Sequence, residues 1–314
     1  MIIDAHVHIT LPKQKTLHHS LRAEDYFRDL NSVGGGKGIL FANPFDSNYC
    51  CPNAFIGSSL HKSAVVNDSY SSYSIMCKKC NTIHYKGEDV FRDINLHLQR
   101  IAKEFDSYAL AFLSAPSLSI QNQVDYYEEH HAEFLGYKIH PTIMMQPIDE
   151  LRIESKKPVL IHSGNDEYAS PQRIAHFAKS YKGKVIIAHF ARFDSETLAN
   201  IRNSDNVWVD MSPFTYLFGL ISRKPNQLCE TWGYEEKQAV DMFFELIEYV
   251  GVERVIFASD APFGDLKKEI AFINSLGLSK SDYERIMKNN AIEAFGIKDL
   301  GAHQNFTRQY LSGT

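Results

Sequence analysis

Two histidines lie close together near the start of the chain, in the sequence Asp-Ala-His-Val-His, where they are His6 and His8. Side chains two positions apart in a β-strand point to the same side, so the two imidazoles would lie next to each other. Two neutral imidazoles can bind one borderline-soft divalent cation, and zinc is the ion we expect. The pattern is short, and by itself it fits two ordinary histidines equally well.

Four further apolar segments end in a polar side chain that could bind a metal or move a proton. They end at His140, which Lys138 precedes by two positions, and at His162, His189 and Asp260. In a barrel of parallel strands, the C-terminal ends of the strands meet at one face, and catalytic side chains lie there. The sequence therefore predicts that these side chains share one site with the two N-terminal histidines.

Short β-branched segments alternate with amphipathic helical segments along the chain. Residues 171–181 illustrate the helical pattern, because Ile174, Phe177, Ala178 and Tyr181 fall on one face. Strand–helix alternation predicts an α/β fold with a mostly parallel sheet, and a count of eight strands favours a closed (β/α)8 TIM barrel. The predicted strands are 2–8, 38–43, 108–114, 136–140, 158–162, 184–189, 207–211 and 254–260.

Two long irregular stretches interrupt this alternation. Residues 43–87 are rich in Ser, Asn and Tyr, and we expect them to form a loop insertion after the second strand. Residues 214–236 follow the seventh strand. Long loops in compact domains are usually lids or binding loops, and both follow the C-terminal end of a strand. We therefore predict one barrel domain over residues 1–314, with the insertion 43–87 covering its catalytic mouth.

The overall composition restricts the class of protein. The length of 314 residues suits one barrel of about 250 residues with an insertion. The net charge of -5 gives no indication of a nucleic-acid or acidic-membrane partner. The N-terminus lacks the pattern of a signal peptide, and no apolar run approaches the roughly 20 residues of a membrane helix. We expect a cytoplasmic protein with a small-molecule substrate, and a homo-oligomer stays open.

Four of the five cysteines lie in the insertion as two close pairs, Cys50 with Cys51 and Cys77 with Cys80. They could form a tetrathiolate zinc site, a redox pair or free thiols in a reducing compartment. Adjacent residues rarely both bind one zinc ion with good geometry, so we leave Cys50 and Cys51, and with them this insertion, out of the predicted metal site.

Taken in order, these motifs resemble those of the amidohydrolase superfamily, and most closely its amidohydrolase-related branch, which also holds aminocarboxymuconate-semialdehyde-decarboxylase-like enzymes. The motifs are Asp-Ala-His-Val-His, Gly-Tyr-Lys-Ile-His-Pro, Leu-Ile-His-Ser, Ile-Ala-His-Phe and Phe-Ala-Ser-Asp-Ala-Pro-Phe-Gly-Asp, and residues 287–296 resemble the closing helix of the branch. The resemblance implies a metal-dependent hydrolase that activates a metal-bound water to cleave an amide, ester or lactone bond. The alternative is a metal-dependent lyase, a non-oxidative decarboxylase or hydratase, that acts on a carboxylate-bearing substrate.

Carried over residue by residue, the resemblance implies a metal held by His6, His8, His162 and Asp260. Asp260 would also act as the catalytic base. His189 would be a proton-transfer partner next to a single ion, or it would bind a second ion together with His162. A single zinc ion is the arrangement we favour, and two ions stay open.

Lys138 occupies the position where binuclear members of the superfamily carry a carboxylated lysine that bridges two ions. In the mononuclear branch it would instead be a free catalytic cation that stabilises negative charge on the substrate. An ammonium beside a metal ion is unfavourable unless an anion lies between them. His140 and Arg192 are expected to bind the substrate. The branch commonly has a glycine two residues after the sixth-strand histidine, whereas this chain has Ala191.

Overall fold

A computed structural model of the chain describes residues 1–10, 21–43, 91–113, 117–144, 146–217 and 236–298, and the backbone of three strands between residues 60 and 87. The strands, numbered along the chain, are β1 Ile2–Ile9, β2 Gly36–Ala42, β3 Leu60–Asn67, β4 Tyr70–Cys77, β5 Thr82–Gly87, β6 Tyr108–Leu113, β7 Gly136–Ile139, β8 Val159–Ile161, β9 Val185–Ile187, β10 Val207–Asp210 and β11 Val255–Ile256.

Eleven α-helices lie in the described part of the chain. They are α1 Ala23–Ser32, α2 Arg92–Glu104, α3 Ser117–His130, α4 Pro141–Met144, α5 Pro171–Ser180, α6 Ser195–Ile201, α7 Phe214–Leu217, α8 Glu236–Val250, α9 Leu266–Ser275, α10 Lys280–Glu284 and α11 Asn290–Phe295. None of the helices in the described ranges combines the length and the apolar character that crossing a membrane requires.

Eight parallel strands form a nearly closed barrel in the order β1-β2-β6-β7-β8-β9-β10-β11. The segment that follows β11 forms backbone hydrogen bonds with β1: Ala5 N donates to Phe257 O at 3.1 Å, and His8 N donates to Ala261 O at 2.8 Å. This arrangement confirms the predicted barrel, and each of its eight strands overlaps a predicted one. Most observed strands end one to four residues before the predicted ends, and His140, His162, His189 and Asp260 lie just beyond the strands that they were predicted to end.

The helices pack their apolar faces on the outside of the barrel, as α5 illustrates. Its first residue is Pro171, and the Ser170 side chain before it accepts a hydrogen bond from Arg173 N at 3.5 Å, which caps the helix. Ile174, Phe177 and Ala178 are buried, as the periodicity predicts. The helix ends at Ser180, one residue before the predicted end, because Tyr181 already has an extended backbone.

The insertion contains regular structure, which differs from the loop that its composition suggested. β3, β4 and β5 form a separate three-stranded antiparallel sheet. In the pairing of β3 with β4, Leu60 lies opposite Cys77 at one end and Asn67 lies opposite Tyr70 at the other. The aromatic and β-branched residues of this segment favour strands. A position over the catalytic mouth stays a prediction. Cys50, Cys51 and Cys80 lie outside the described residues, as does 218–235 of the second irregular stretch.

Candidate metal centre

Three side chains, two from the first strand of the barrel and one from the segment that follows the last strand, meet at its C-terminal mouth. His6 Nε2 lies 3.2 Å from His8 Nε2, and Asp260 Oδ1 lies 3.1 Å from the first of these atoms and 3.2 Å from the second. Ligand atoms bound to one divalent ion at about 2.0–2.2 Å lie about 3.0–3.5 Å from one another. The three atoms therefore have the spacing of ligands that share one ion.

The surroundings of Asp260 Oδ1 also fit a cation. This oxygen is buried, and apart from the close approach of His6 Nε2 and His8 Nε2 it has no hydrogen-bond partner among the residues that the structure describes. A buried carboxylate oxygen without a partner is costly, and a bound cation would satisfy it. Burial acts to raise the pKa of Asp260, but His6, His8 and His189 outweigh it and hold the pKa well below its ordinary value. Asp260 is therefore an ionised acceptor in this site.

Hydrogen bonds at the far side of each ring orient His6 and His8. His8 Nδ1 lies 3.1 Å from the carbonyl oxygen of Ala42, which can only accept, so this nitrogen carries the proton. His6 Nδ1 lies 2.8 Å from Asp210 Oδ2, which requires the same tautomer. In the neutral form of both rings the lone pair is left on Nε2, the atom that faces Asp260. Burial lowers the pKa of His8 to about 4, which keeps this ring neutral at neutral pH.

Lys138 of β7 lies at the same centre. Its side chain is fully buried, and Nζ lies 3.2 Å from His6 Nε2 and 4.9 Å from the centre of the Phe41 ring. Burial lowers the pKa of Lys138 to about 8, while the carboxylates of Asp210 and Asp260 act in the opposite direction. The sequence prediction that this lysine joins the N-terminal histidines is consistent with these distances.

His140, His162 and His189 form a second layer of imidazoles beside this centre. His189 Nδ1 lies 2.7 Å from the carbonyl oxygen of Ser212, and His189 Nε2 lies 2.9 Å from His162 Nδ1. The ring of His140 stacks on that of His162, with 3.7 Å between the ring centres and 13° between the planes. Burial lowers the pKa of all three rings, to about 4 for His189.

The hydrogen bonds assign a role to each nitrogen of this pair. Because the carbonyl of Ser212 can only accept, His189 Nδ1 donates and His189 Nε2 accepts. His162 Nδ1 must then donate to it, which leaves the lone pair of His162 on Nε2. This is the tautomer that a metal ligand needs. His162 nevertheless belongs to neither of the groups of possible ligands within reach of one ion among the described residues, so its role as a ligand stays a prediction.

A second group of possible metal ligands consists of His6, His189 and Asp210. Both oxygens of Asp210 already accept hydrogen bonds. Oδ1 accepts from the backbone N of His189 and of Ser212, each at 3.0 Å, and from Ser212 Oγ at 2.8 Å, and Oδ2 accepts from His6. These bonds account for the cluster without a second ion, and the single ion stays a prediction.

A left-handed turn follows β9 and presents Arg192. Residues 189–193 all have positive φ, between 49° and 58°, although none of them is glycine. Each such residue costs about 1–2 kcal/mol, so the neighbouring structure must hold the turn in place. The bond from His189 N to Asp210 Oδ1 fixes its start, and Phe190 and Ala191 are buried. Burial lowers the pKa of His162, and the charge of Arg192 acts in the same direction, so Arg192 lies near this ring.

Two buried aspartates of the site are not among the residues predicted from the sequence. Asp210 ends β10 in the same way that the predicted site residues end their strands, so the same pattern could have identified it. Asp4 lies beneath His6, where it accepts hydrogen bonds from Ser259 N at 2.9 Å, Ser259 Oγ at 2.6 Å and the hydroxyl of Tyr26 at 3.1 Å. Burial raises the pKa of Asp4 to about 6. Asp4 joins the first strand of the barrel to the last.

A barrel with imidazoles and carboxylates at its C-terminal mouth defines a class of metal-dependent barrel proteins. The sequence model of the amidohydrolase family matches residues 87–297, which is more than half of the chain. The chain therefore belongs to the amidohydrolase family, and the predicted family resemblance is confirmed. No curated protein matches the sequence. The family and the His–Asp cluster together support a divalent metal.

Solved structures with the same fold cover nearly the whole chain. A 2,6-dihydroxybenzoate decarboxylase from Rhizobium has a TM-score of 0.52 at 13% identity, and the match covers 94% of this chain and 98% of that one. A 5-carboxyvanillate decarboxylase from Novosphingobium aromaticivorans, which holds manganese, has a TM-score of 0.57 at 12% identity and coverages of 95% and 97%. A candidate 2-pyrone-4,6-dicarboxylic acid hydrolase from Pseudomonas putida has a TM-score of 0.56 at 14% identity, and the match covers 94% of this chain and 97% of that one.

Proposed function

We propose that the protein is a metal-dependent lyase that removes a carboxylate from a small molecule by non-oxidative decarboxylation. His6, His8 and Asp260 would hold one divalent ion, with His162 as the fourth ligand. Zinc is the ion that we propose, and manganese is the alternative, because a structure of similar fold holds it. A cytoplasmic location, expected from the sequence, stays a prediction.

The observation that carries the proposal is the buried ammonium of Lys138 at 3.2 Å from His6 Nε2. An ion bound by His6 would lie close to this ammonium, and two neighbouring cations repel each other strongly in a site from which water is excluded. Asp210 and Asp260 offset part of this repulsion, and a substrate carboxylate placed between the two cations would offset more of it and interact with both. The site is therefore electrostatically suited to an anionic substrate, which favours the lyase over a hydrolase of neutral amides or esters.

A bound metal would supply a Lewis acid that polarises a substrate oxygen. The chain's own groups would then bind and orient the carboxylate. Lys138 Nζ would donate to it, and His140 Nδ1, which is buried without a hydrogen-bond partner in the described structure, could contact the substrate. When carbon dioxide leaves, the electron pair of the broken C–C bond stays on the carbon, which must take up a proton. With its pKa lowered to about 8, Lys138 is a suitable donor near neutral pH.

The structures of similar fold are in line with this substrate class. Two of them are decarboxylases of aromatic acids, and the candidate hydrolase is named for a dicarboxylic acid. Their identities of 12–14% support the fold alone. The support for a carboxylate-bearing substrate in this protein therefore comes from Lys138 and the charges around it.

Hydrolysis of an amide, ester or lactone is the second candidate. Asp260 Oδ1 has no hydrogen-bond partner among the described residues and faces both N-terminal histidines. An ionised carboxylate in this position could accept a proton from an attacking water and later transfer it to a leaving group. Carboxylation of Lys138 together with two bound ions would favour this reaction.

The two candidates can be separated with purified protein of known metal content. A panel of hydroxybenzoates would be assayed for carbon dioxide and the decarboxylated phenol, and a panel of lactones and esters for acid release. We expect decarboxylation by the wild type and at least a hundredfold loss in Lys138→Met with the metal retained. Lys138→Arg keeps the charge and serves as the matched control. Hydrolysis without any decarboxylation would instead support the second candidate.

A further inference from the structure

We propose that Asp210 is a positioning residue that sets the tautomer of His6, so that Nε2 and not Nδ1–H faces the metal centre. The inference rests on the proposed metal function, and it concerns a residue that the motifs of the site do not include. It predicts that an isosteric change at Asp210 is more harmful to metal binding than truncation of the side chain.

The two oxygens of Asp210 have different partners. Oδ1 faces three donors, which are the backbone N–H groups of His189 and Ser212, both at 3.0 Å, and the hydroxyl of Ser212 at 2.8 Å. Oδ2 faces a single partner, His6 Nδ1 at 2.8 Å. All the side-chain atoms involved are buried, so water does not compete with these bonds. A carboxylate accepts on both sides, and it therefore requires His6 to carry its proton on Nδ1.

Asparagine at this position would reverse the requirement. Its carbonyl oxygen would stay on the side of the two backbone N–H groups, because the opposite orientation would leave both of them facing an amide NH2. The NH2 group would then face His6 Nδ1 and would need an acceptor there. His6 would move its proton to Nε2, where Asp260 Oδ1 at 3.1 Å can accept it. A protonated Nε2 cannot bind a metal, so Asp210→Asn would block the ligand atom without changing the size of the side chain.

Alanine would have a smaller effect on the tautomer. Ser212 Oγ already lies 3.2 Å from His6 Nδ1, and without the carboxylate it could accept the proton of that nitrogen. Asp210→Ala would thus leave the Nδ1–H tautomer accessible. If Asp210 had a purely structural role, metal affinity would fall more in Asp210→Ala than in Asp210→Asn. Asparagine fills the space of aspartate, whereas alanine leaves a gap and three unpaired donors.

The test is nitrogen NMR of ¹⁵N-histidine-labelled, metal-free protein, which reports directly which ring nitrogen of His6 carries the proton. Spectra of His6→Gln would identify the His6 signals. Burial acts to lower the pKa of His6, but the carboxylates of Asp260 and Asp210 outweigh it and raise the pKa, so the spectra are followed to a pH at which the ring is neutral. There we expect Nδ1–H with an unprotonated Nε2 in the wild type and Nε2–H with an unprotonated Nδ1 in Asp210→Asn. Zinc affinity, measured by competition with a chelator, would fall by about 10- to 100-fold or more in Asp210→Asn and by less in Asp210→Ala.

Asp194→Asn is the control for loss of one negative charge, because Asp194 caps α6, and it should leave both measurements unchanged. An Nδ1–H tautomer in Asp210→Asn, or zinc affinity lower in Asp210→Ala than in Asp210→Asn, would overturn the inference. Failure of the wild type to bind zinc or manganese would refute the proposed function. The tautomer measurement does not depend on a metal, so the two failures are distinguishable.

Discussion

His162 Nδ1 donates a hydrogen bond to His189 Nε2 across 2.9 Å, and this contact divides the imidazoles of the mouth into two kinds. His189 uses both of its nitrogens in hydrogen bonds, because Nδ1 also donates to the carbonyl of Ser212. In His6 and His8, Nδ1 is held by Asp210 and by the carbonyl of Ala42, and the Nε2 atoms of both rings converge on Asp260. The rings differ in what they can do, although their sequence contexts are similar.

Replacement of His189 should therefore leave the metal in place. We expect His189→Ala to retain about one ion per chain and His8→Ala, a matched loss of one buried imidazole, to lose it. Activity should fall in both variants. Metal content per chain, measured by plasma mass spectrometry after dialysis, checks this. If both variants lost the ion equally, His189 would have to be a ligand, and the assignment of its nitrogens would be wrong.

Glu269 should make the stability of the fold depend on pH. Its Oε1 accepts hydrogen bonds from Thr215 N at 2.9 Å and Thr215 Oγ1 at 2.5 Å, while Oε2 is buried with no partner in the described part of the chain. Burial raises the pKa of Glu269 well above its ordinary value of 4.5, and Asp4 and Asp265 add to the rise. The folded protein thus holds a proton that the unfolded chain releases above pH 4.5.

The free energy of unfolding should consequently fall as the pH rises above 4.5 towards the raised pKa of the folded state. Glu269→Gln has no proton to release, so the wild type should lose stability relative to this variant by up to about 1.4 kcal/mol per pH unit. Urea denaturation of both proteins between about pH 5 and pH 8 measures the difference. Parallel stability curves would show that Glu269 ionises equally in both states.

Asp4 should contribute more to the free energy of unfolding than any single residue that donates a hydrogen bond to it. Asp4→Ala leaves the hydroxyls of Ser259 and Tyr26 and the backbone N–H of Ser259 without their acceptor, which should cost about 3 kcal/mol. Tyr26→Phe removes only one hydrogen bond and should cost about 1 kcal/mol. The free energy of unfolding in urea gives both values. An equal cost for the two variants would mean that Asp4 is not the centre of this network.

The positions of His6, His8, Lys138 and Asp260 follow from one rule that the sequence makes visible. Polar side chains that end parallel strands of a barrel meet at one mouth, and the structure brings these four together. The same rule applies to Asp210, which ends β10. Its neighbours Met211 and Ser212 match no motif that would mark it as a site residue.

Other features depend on information that lies outside the local pattern. The left-handed turn at 189–193 contradicts the preferences of Phe190, Ala191 and Arg192, and only contacts with the rest of the barrel can hold it. The tautomers of the imidazoles depend on partners that are far away in sequence, such as Ala42 for His8. Such contacts form only when the chain is folded, and the spacing of residues along the sequence does not predict them.

The most direct test of the account is anomalous diffraction from crystals grown with zinc, and separately with manganese. We predict one peak per chain, within about 2.0–2.3 Å of His6 Nε2, His8 Nε2 and Asp260 Oδ1, with an unmodified Lys138 beside it. A peak of full occupancy between His162 and His189, or no peak at His6 and His8 in either metal, would contradict the central claim that these three atoms hold a single catalytic ion.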